Sequence, residues 1–207
     1  MFEKEDLLRL LDGVRLGKNA DREAKSAIQA AIARLEARNP TPKPLESPDL
    51  EGNWRLLYTT SDELLNLDRL PLYGIRNIYQ CVRAASRSIY NIAEIEGIPY
   101  LGGLVSVEAK FEPVADAPVA DRRVDVIFQR FVGGLQTAVG YRDPDDWIAK
   151  LGEVDRFLAL DFSLADRDRR GWLDITYLDD TLRIGRGNVG SLFVLAKAPN
   201  ALASRAD

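Results

Sequence analysis

The stretch TLRIGRGNVGSLFVLAK, residues 181–197, can be read as either of two folds. Gly185, Gly187 and Gly190 spell G-x-G-x-x-G, the spacing of a dinucleotide-binding loop in a parallel α/β sheet. The same residues also read as two short strands joined by a glycine turn, which makes the chain antiparallel and mainly β. The residues after the last glycine decide between them. A dinucleotide loop opens a helix, leads to a second parallel strand and has an acidic residue about 20 positions on. SLFVLAK (191–197) has strand character, only 17 residues come after Gly190, and APNALASRAD contains no second strand. Residues 185–190 are therefore expected to join two antiparallel strands, with glycine and Asn188 supplying positive φ angles. No nucleotide is expected there.

Working outward, period two persists upstream. LVSVEAKFE (104–112) alternates, with Val105, Val107, Ala109 and Phe111 on one face and Ser106, Glu108, Lys110 and Glu112 on the other. WRLLYTT (54–60), NIYQCV (77–82), SIYNIAEIE (88–96), RVDVIFQRF (123–131), FLALDFSL (157–164) and WLDITYL (172–178) supply further strands. Gly102-Gly103 and Gly133-Gly134 read as turns or bulges. Short strands without long intervening helices form an antiparallel meander, which removes its edges by closing into a barrel. SDELLNLDRLP (61–71) reads as a short helix near the barrel mouth.

The N-terminal forty residues have a different period. Leu7, Leu8, Leu10, Leu11 and Val14 share a helical face. A break at 17–20 precedes a second helix, on which Ala24, Ala27, Ile28, Ala31 and Leu35 recur at helical spacing. Asp21 is its expected N-cap and Asn39-Pro40 its stop. Four prolines in 40–50 make an extended connector. The expected division is a helical hairpin at 1–39 packing on the barrel, the connector at 40–50, the barrel at 51–198 and a tail at 199–207.

Composition narrows the chemistry. The chain has no histidine and one cysteine, Cys81, which excludes Ser-His-Asp catalysis, histidine metal sites and an internal disulfide. A net charge of −4 argues against a nucleic-acid partner. The start, MFEKEDLLRL, is too charged for a secretory signal, and no uncharged run approaches the roughly 18 residues of a spanning helix. The expectation is a protein in the cytoplasm or peripheral on a membrane, with no cofactor; acid–base catalysis by carboxylates, tyrosine or lysine stays open at this point.

NPTPKPLESPDLEGNWRLLYTTSDEL (39–64) and GWLDITYLDDTLRIGRGNVGSLFVLAK (171–197) closely resemble the opening and closing motifs of the plastid lipid-associated protein (fibrillin) family. IYQCVRAASRSIYNIAEIE (78–96) is similar to its central strands. The resemblance covers most of 5–197 and is weakest over 113–121 and 142–170. It implies a lipocalin-like antiparallel β-barrel of about eight strands, holding a lipophilic molecule (isoprenoid, quinone, carotenoid or acyl lipid) at or near thylakoid membranes. A structural or photoprotective role, peripheral membrane contact and a protein partner come with it. With no transit peptide at this start, it implies a member from a photosynthetic bacterium.

Gly52-Asn53-Trp54 is the G-x-W of such barrels, whose tryptophan plugs the narrow end beneath a basic residue, here Arg183 or Arg186. The expected ligand-binding residues are Trp54, Leu56, Tyr58, Phe111, Phe128, Asp180, Leu182 and Arg183, with Val105, Val107, Val126 and Ile184 also facing inward. Asp179-Asp180 is otherwise a tight turn. An apolar pocket of roughly 300–1,000 Å³ is expected, opening near Leu64–Leu72 and Leu101–Leu104. Two other readings remain: a filled barrel acting through protein partners, and a bilin-lyase-like protein using Arg130, Arg183 and Arg186.

Overall fold

The computed structural model describes residues 2–61, 74–96, 102–115, 119–164 and 170–198. Its strands are β1 (Gly52–Thr59), β2 (Gly74–Arg83), β3 (Ser88–Glu96), β4 (Gly103–Pro113), β5 (Arg123–Leu135), β6 (Leu160–Ser163), β7 (Arg170–Leu178), β8 (Leu182–Gly187) and β9 (Leu192–Lys197). All pair antiparallel. They run in the order β4-β3-β2-β1-β9-β8-β7-β5, and β4 pairs back onto β5 to close an eight-strand barrel. β6 lies outside this ring. Residues 123–127 of β5 pair with β7, whereas residues 130–133 of the same strand pair with β6. The helix expected at 61–71 lies, apart from Ser61, outside the described residues.

Three apolar layers arise from this topology. Trp54, Leu56, Ile78, Ala93, Phe111, Val126 and Leu195 pack inside the barrel. Outside one wall, α1 (Phe2–Leu11) and α2 (Arg22–Glu36) cover β7, β8 and β9, burying Leu7, Ile28, Ile32 and Leu35 against Leu182, Ile184 and Val194. Leu8, expected on that face, is 39% exposed. Asp21 caps α2 by accepting the Ala24 amide at 2.8 Å. Outside the opposite wall, α3 (Gln136–Val139) and α4 (Pro144–Glu153) cover Cys81, Ile92, Leu104 and Val132.

α4 was not expected from the sequence. Its start is an ordinary one: the Asp143 side chain accepts the Asp146 amide at 2.9 Å, Pro144 opens the first turn, and Asp145 and Asp146 lie at the positive end of the helix dipole. Trp147, fully buried, anchors it. Gly133-Gly134 lie within β5 rather than in a turn. The β5 bulge falls instead at Gln129, between the Glu108–Arg130 and Ala109–Phe128 pairs. Strand 157–164 contracts to Leu160–Ser163. The proline connector is also more structured than an extended linker. It makes two 3-10 turns, Pro44–Glu46 and Pro48–Leu50, and Leu50, 1% exposed, packs against Trp54.

Residues 185–190 form the turn-joined strand pair expected. Gly185 and Gly187 lie in β8 and face inward, and the space a Cβ would need is taken by Leu173 Cδ1 at 3.1 Å and Phe193 Cε2 at 3.2 Å. The x-G-x-G phase thus matches the pleat of a strand. Residues Asn188–Gly190 make a 3-10 turn into β9. Gly190 has φ +74°, but Asn188 does not have the positive φ expected of it; its Oδ1 accepts the Trp172 amide at 2.8 Å instead.

Candidate functional site

The closed end of the barrel is built around Trp54. β1 begins at Gly52, so the inward phase starts with Trp54, and the indole Nε1–H donates to the Leu50 carbonyl at 3.0 Å. The register brings Lys197 of β9 and Gln80 of β2 opposite it. Lys197 Nζ lies 4.8 Å from the ring centre and Arg183 Cζ 5.1 Å from it. Of the two arginines expected over Trp54, Arg183 is therefore the one in place. Arg186 faces outward and makes a two-pronged contact with Glu36 of α2, both hydrogen bonds at 2.8 Å. Lys197 Nζ donates to the Asp49 carbonyl at 2.7 Å, which ties the connector across this end.

This end is filled. Leu45, Val82, Ile89, Phe111, Val124, Leu173 and Arg183 surround a cavity of about 10 Å³, at the limit for one water. Farther from Trp54 the interior side chains are less enclosed: Val105, Phe128 and Phe193 are only partly buried. Of the opening expected near Leu64–Leu72 and Leu101–Leu104, residues 64–72 and 101 lie outside the described residues, and Leu104, 1% exposed, is packed outside the barrel against α3 and α4 rather than at a mouth. A wider space of about 480 Å³ lies elsewhere, outside the barrel wall, against Gln29, Thr60, Arg186, Gly190 and Leu192.

Of the expected site residues, Trp54, Leu56, Phe111, Phe128 and Arg183 lie in or against the interior. Tyr58 and Leu182 do not, nor does Ile184. Tyr58 pairs with Val194 after a bulge at Leu57, which reverses the inward phase and turns the ring under the helical hairpin. Leu182 and Ile184 share the outward phase of β8, opposite Arg183 and Gly185. Apolar residues stand there because α1 and α2 cover that wall. Asp180 is exposed at the β7–β8 turn. The working acid of that turn is Asp179, which accepts from Lys4 Nζ at 2.7 Å, Tyr177 Oη at 2.7 Å and the Thr181 and Leu182 amides at 2.8 and 2.7 Å. Burial opposes its ionisation, but these donors prevail and hold its carboxyl down at about 2.

Arg130, named for bilin chemistry, is engaged elsewhere. It forms a bidentate pair with Asp161 at 2.9 and 2.7 Å and donates to the Leu151, Val154 and Asp155 carbonyls. Burial pushes the Cys81 thiol up to about 12, which leaves it a packing group beneath α4. Among the described residues no cluster of three or more acidic or cysteine side chains is arranged to hold a metal ion. No helix among them is long and apolar enough to cross a membrane.

What sequence reading missed inside the barrel is polar. Gln80 and Asn91 face inward beside Arg183. Arg183 Nη2 donates to Gln80 Oε1 at 2.5 Å, and Gln80 Nε2 donates to Asn91 Oδ1 at 3.1 Å. Period two within NIYQCV and SIYNIAEIE places both residues in phase with apolar inward neighbours, and that was the available signal.

The PAP_fibrillin family model matches residues 1–196. The chain is 32% identical to plastoglobulin-1, chloroplastic, of Pisum sativum over 96% of this chain and 62% of that protein. It is 31% identical to the light-induced protein, chloroplastic, of Solanum tuberosum, over 94% of this chain and 66% of that protein. With the chromoplast-specific carotenoid-associated protein of Cucumis sativus it shares 29% identity, over 94% and 67%. The chain thus spans a little under two thirds of the length of the first of these relatives. No solved structure matches it.

Proposed function

The chain belongs to the PAP_fibrillin family, and from that premise we propose that it is a non-enzymatic carrier holding one lipophilic molecule (an isoprenoid, quinone, carotenoid or acyl lipid) inside the barrel, at or near a thylakoid membrane. The observation that carries this reading is the graded closure of the interior. Trp54, Leu50 and Val82 at one end are 1% exposed or less, whereas Val105, Phe128 and Phe193 farther along are only partly buried. Leu56 and Phe128 would line the ligand's tail, with Trp54 and Phe111 as the floor. Burying each methylene of the ligand would contribute about 0.8 kcal/mol. The relative from Cucumis sativus is named for its association with carotenoid, which supports a lipophile of that kind. Exposed Leu158 and Leu160, 92% and 70% accessible, supply apolar contact for a membrane surface.

The test is to purify the protein from photosynthetic cells and from a heterologous host, extract it, and quantify bound quinones, carotenoids and acyl lipids by mass spectrometry. A true ligand also raises the melting temperature by mass action. If nothing co-purifies and no prenyl or acyl compound shifts the melt, the carrier reading fails. The filled cavity at the Trp54 end, about 10 Å³, favours a second reading in that event: a scaffold that acts through protein partners.

A further inference from the structure

Arg183 is 2% exposed, and among the described residues no carboxylate lies within ion-pair distance of it. The half-buried arginines pair conventionally: Arg83 has Asp145 at 2.6 Å, Arg123 has Asp174 at 2.6 Å and Arg130 has Asp161 at 2.7 Å. Among the described residues Arg183 has the Gln80 amide oxygen and the face of Trp54. A guanidinium withdrawn from water without a counter-charge is costly to bury, and a neutral amide compensates for little of that cost. Its surroundings show the imbalance: burial lowers its pKa from the ordinary guanidinium value to about 9, still protonated at neutral pH.

The hydrogen-bond polarity of the interior is set by this one residue. Arg183 can only donate, so Gln80 must present its oxygen to it. Gln80 then has only its NH2 to offer Asn91, and Asn91 must answer with its own oxygen. The Asn91 NH2 and the other guanidinium N–H groups add further donors. The trio is rich in donors and poor in acceptors. Asn91 pairs with Val107 of β4, one inward step farther from the closed end than Ile89, which lines the filled cavity. The donors therefore sit between the sealed floor and the less enclosed layers of Val105 and Phe128.

Resting on the carrier reading, we propose that Arg183 and Asn91 bind the carboxylate head of a single-chain fatty acid, whose tail runs toward Val105 and Phe128. The carboxylate displaces the Gln80 oxygen as the acceptor for Arg183, replacing a neutral contact by a charge-assisted, two-pronged one. It also accepts from the Asn91 NH2. The cavity beside Arg183 is about 10 Å³, so the head group gains its place by moving the Gln80 side chain rather than by entering a ready-made hole.

The experiment compares palmitate, methyl palmitate and hexadecanol, with decyl-plastoquinone and β-carotene as lipophiles lacking a carboxylate, on the delipidated full chain by calorimetry and thermal shift. Palmitate should bind about tenfold or more tighter than its methyl ester, the factor of one charge-assisted contact. Arg183→Gln should bring palmitate to the level of the ester and leave the ester unchanged, and Asn91→Leu should move part of the way. Equal affinity for acid and ester in the wild type, or a preference that survives Arg183→Gln, overturns the proposal. Binding of quinone or carotene without palmitate overturns it while the carrier reading stands; binding of none of the five removes both. One further readout needs no variant. The carboxyl resonance of [1-13C]palmitate on the wild-type protein should titrate below that of the free acid, and a midpoint at or above the free value overturns the assignment.

Discussion

Arg183 and Trp54 are stacked inside the barrel with the guanidinium carbon 5.1 Å from the ring centre, and Lys197 brings a second cation within 4.8 Å of the same ring. The indole is thus the floor of the barrel, the surface that carries one buried and one half-buried cation, and the donor that fixes Leu50. Trp54→Ala should destabilise the fold by about 3–5 kcal/mol, the range for deleting a large buried aromatic. Urea unfolding measures it, and a loss under about 1 kcal/mol would mean that the closed end collapses around the gap.

Gly17, in the turn between α1 and α2, packs against β1. Its φ is +105°, and a Cβ there would lie 2.9 Å from both the Thr59 carbonyl oxygen and Tyr58 Cε2. The neighbouring Leu16 carbonyl accepts the Thr59 amide at 3.0 Å, so the backbone has little room to retreat. Gly17→Ala should cost about 1–3 kcal/mol from strain and contact together. Equilibrium unfolding at wild-type stability would show that the 13–20 segment re-routes freely.

Asp179 makes the hairpin contact sensitive to acid. Its folded pKa, about 2, lies below the unfolded value of about 4. The stabilisation is therefore fully present above pH ~4 and is lost as the pH falls from about 4 to about 2, on the order of 2 kcal/mol in all. Asp179→Asn should lower neutral-pH stability and flatten the acid limb of a stability–pH curve. An unchanged acid limb in that variant would assign the sensitivity to other carboxylates, such as Asp161, which Arg130 holds low.

Leu182 separates stability from ligand binding. It is 1% exposed but faces α1 and α2 rather than the interior. Leu182→Ala should cost about 2–5 kcal/mol and leave the amount of lipophile bound per folded protein unchanged. Reduced lipid on the folded variant, measured by mass spectrometry of extracts, would place Leu182 in the site after all.

These residues show what the sequence could disclose. Strand alternation in LVSVEAKFE carried through to the structure because β4 keeps one phase along its length, with Val105, Ala109 and Phe111 inward and Leu104 outward. The glycine motif was legible because nothing after Gly190 could be a Rossmann helix. Tyr58 was misplaced because a single extra residue, Leu57, reverses the phase of β1, and bulges leave no mark in a hydrophobicity pattern. Leu182 and Ile184 were misplaced because β8 is buried on both faces, so alternation does not say which face is the interior. α4 was readable in DPDDWIAKL, whose cap and first-turn charges are plain. The pairing of Gln80 with Arg183 spans 103 positions and depends on barrel closure, which local pattern does not encode.

The helical hairpin also has an order in time. Lys4 meets Asp179 across 175 positions, and the wall that buries Leu7, Ile28 and Ile32 is made of β7, β8 and β9, the last of the barrel strands to be synthesised. At about 5–20 residues per second, the hairpin leaves the ribosome roughly ten to thirty seconds before that wall exists. Throughout that interval its apolar face has no native cover. β1 waits as long for β9, its partner across the seam of the barrel. Closure of the barrel and docking of the hairpin therefore fall together once β9 has been made, and a nascent chain stalled before β8 would expose both surfaces at once to chaperones or to another stalled copy.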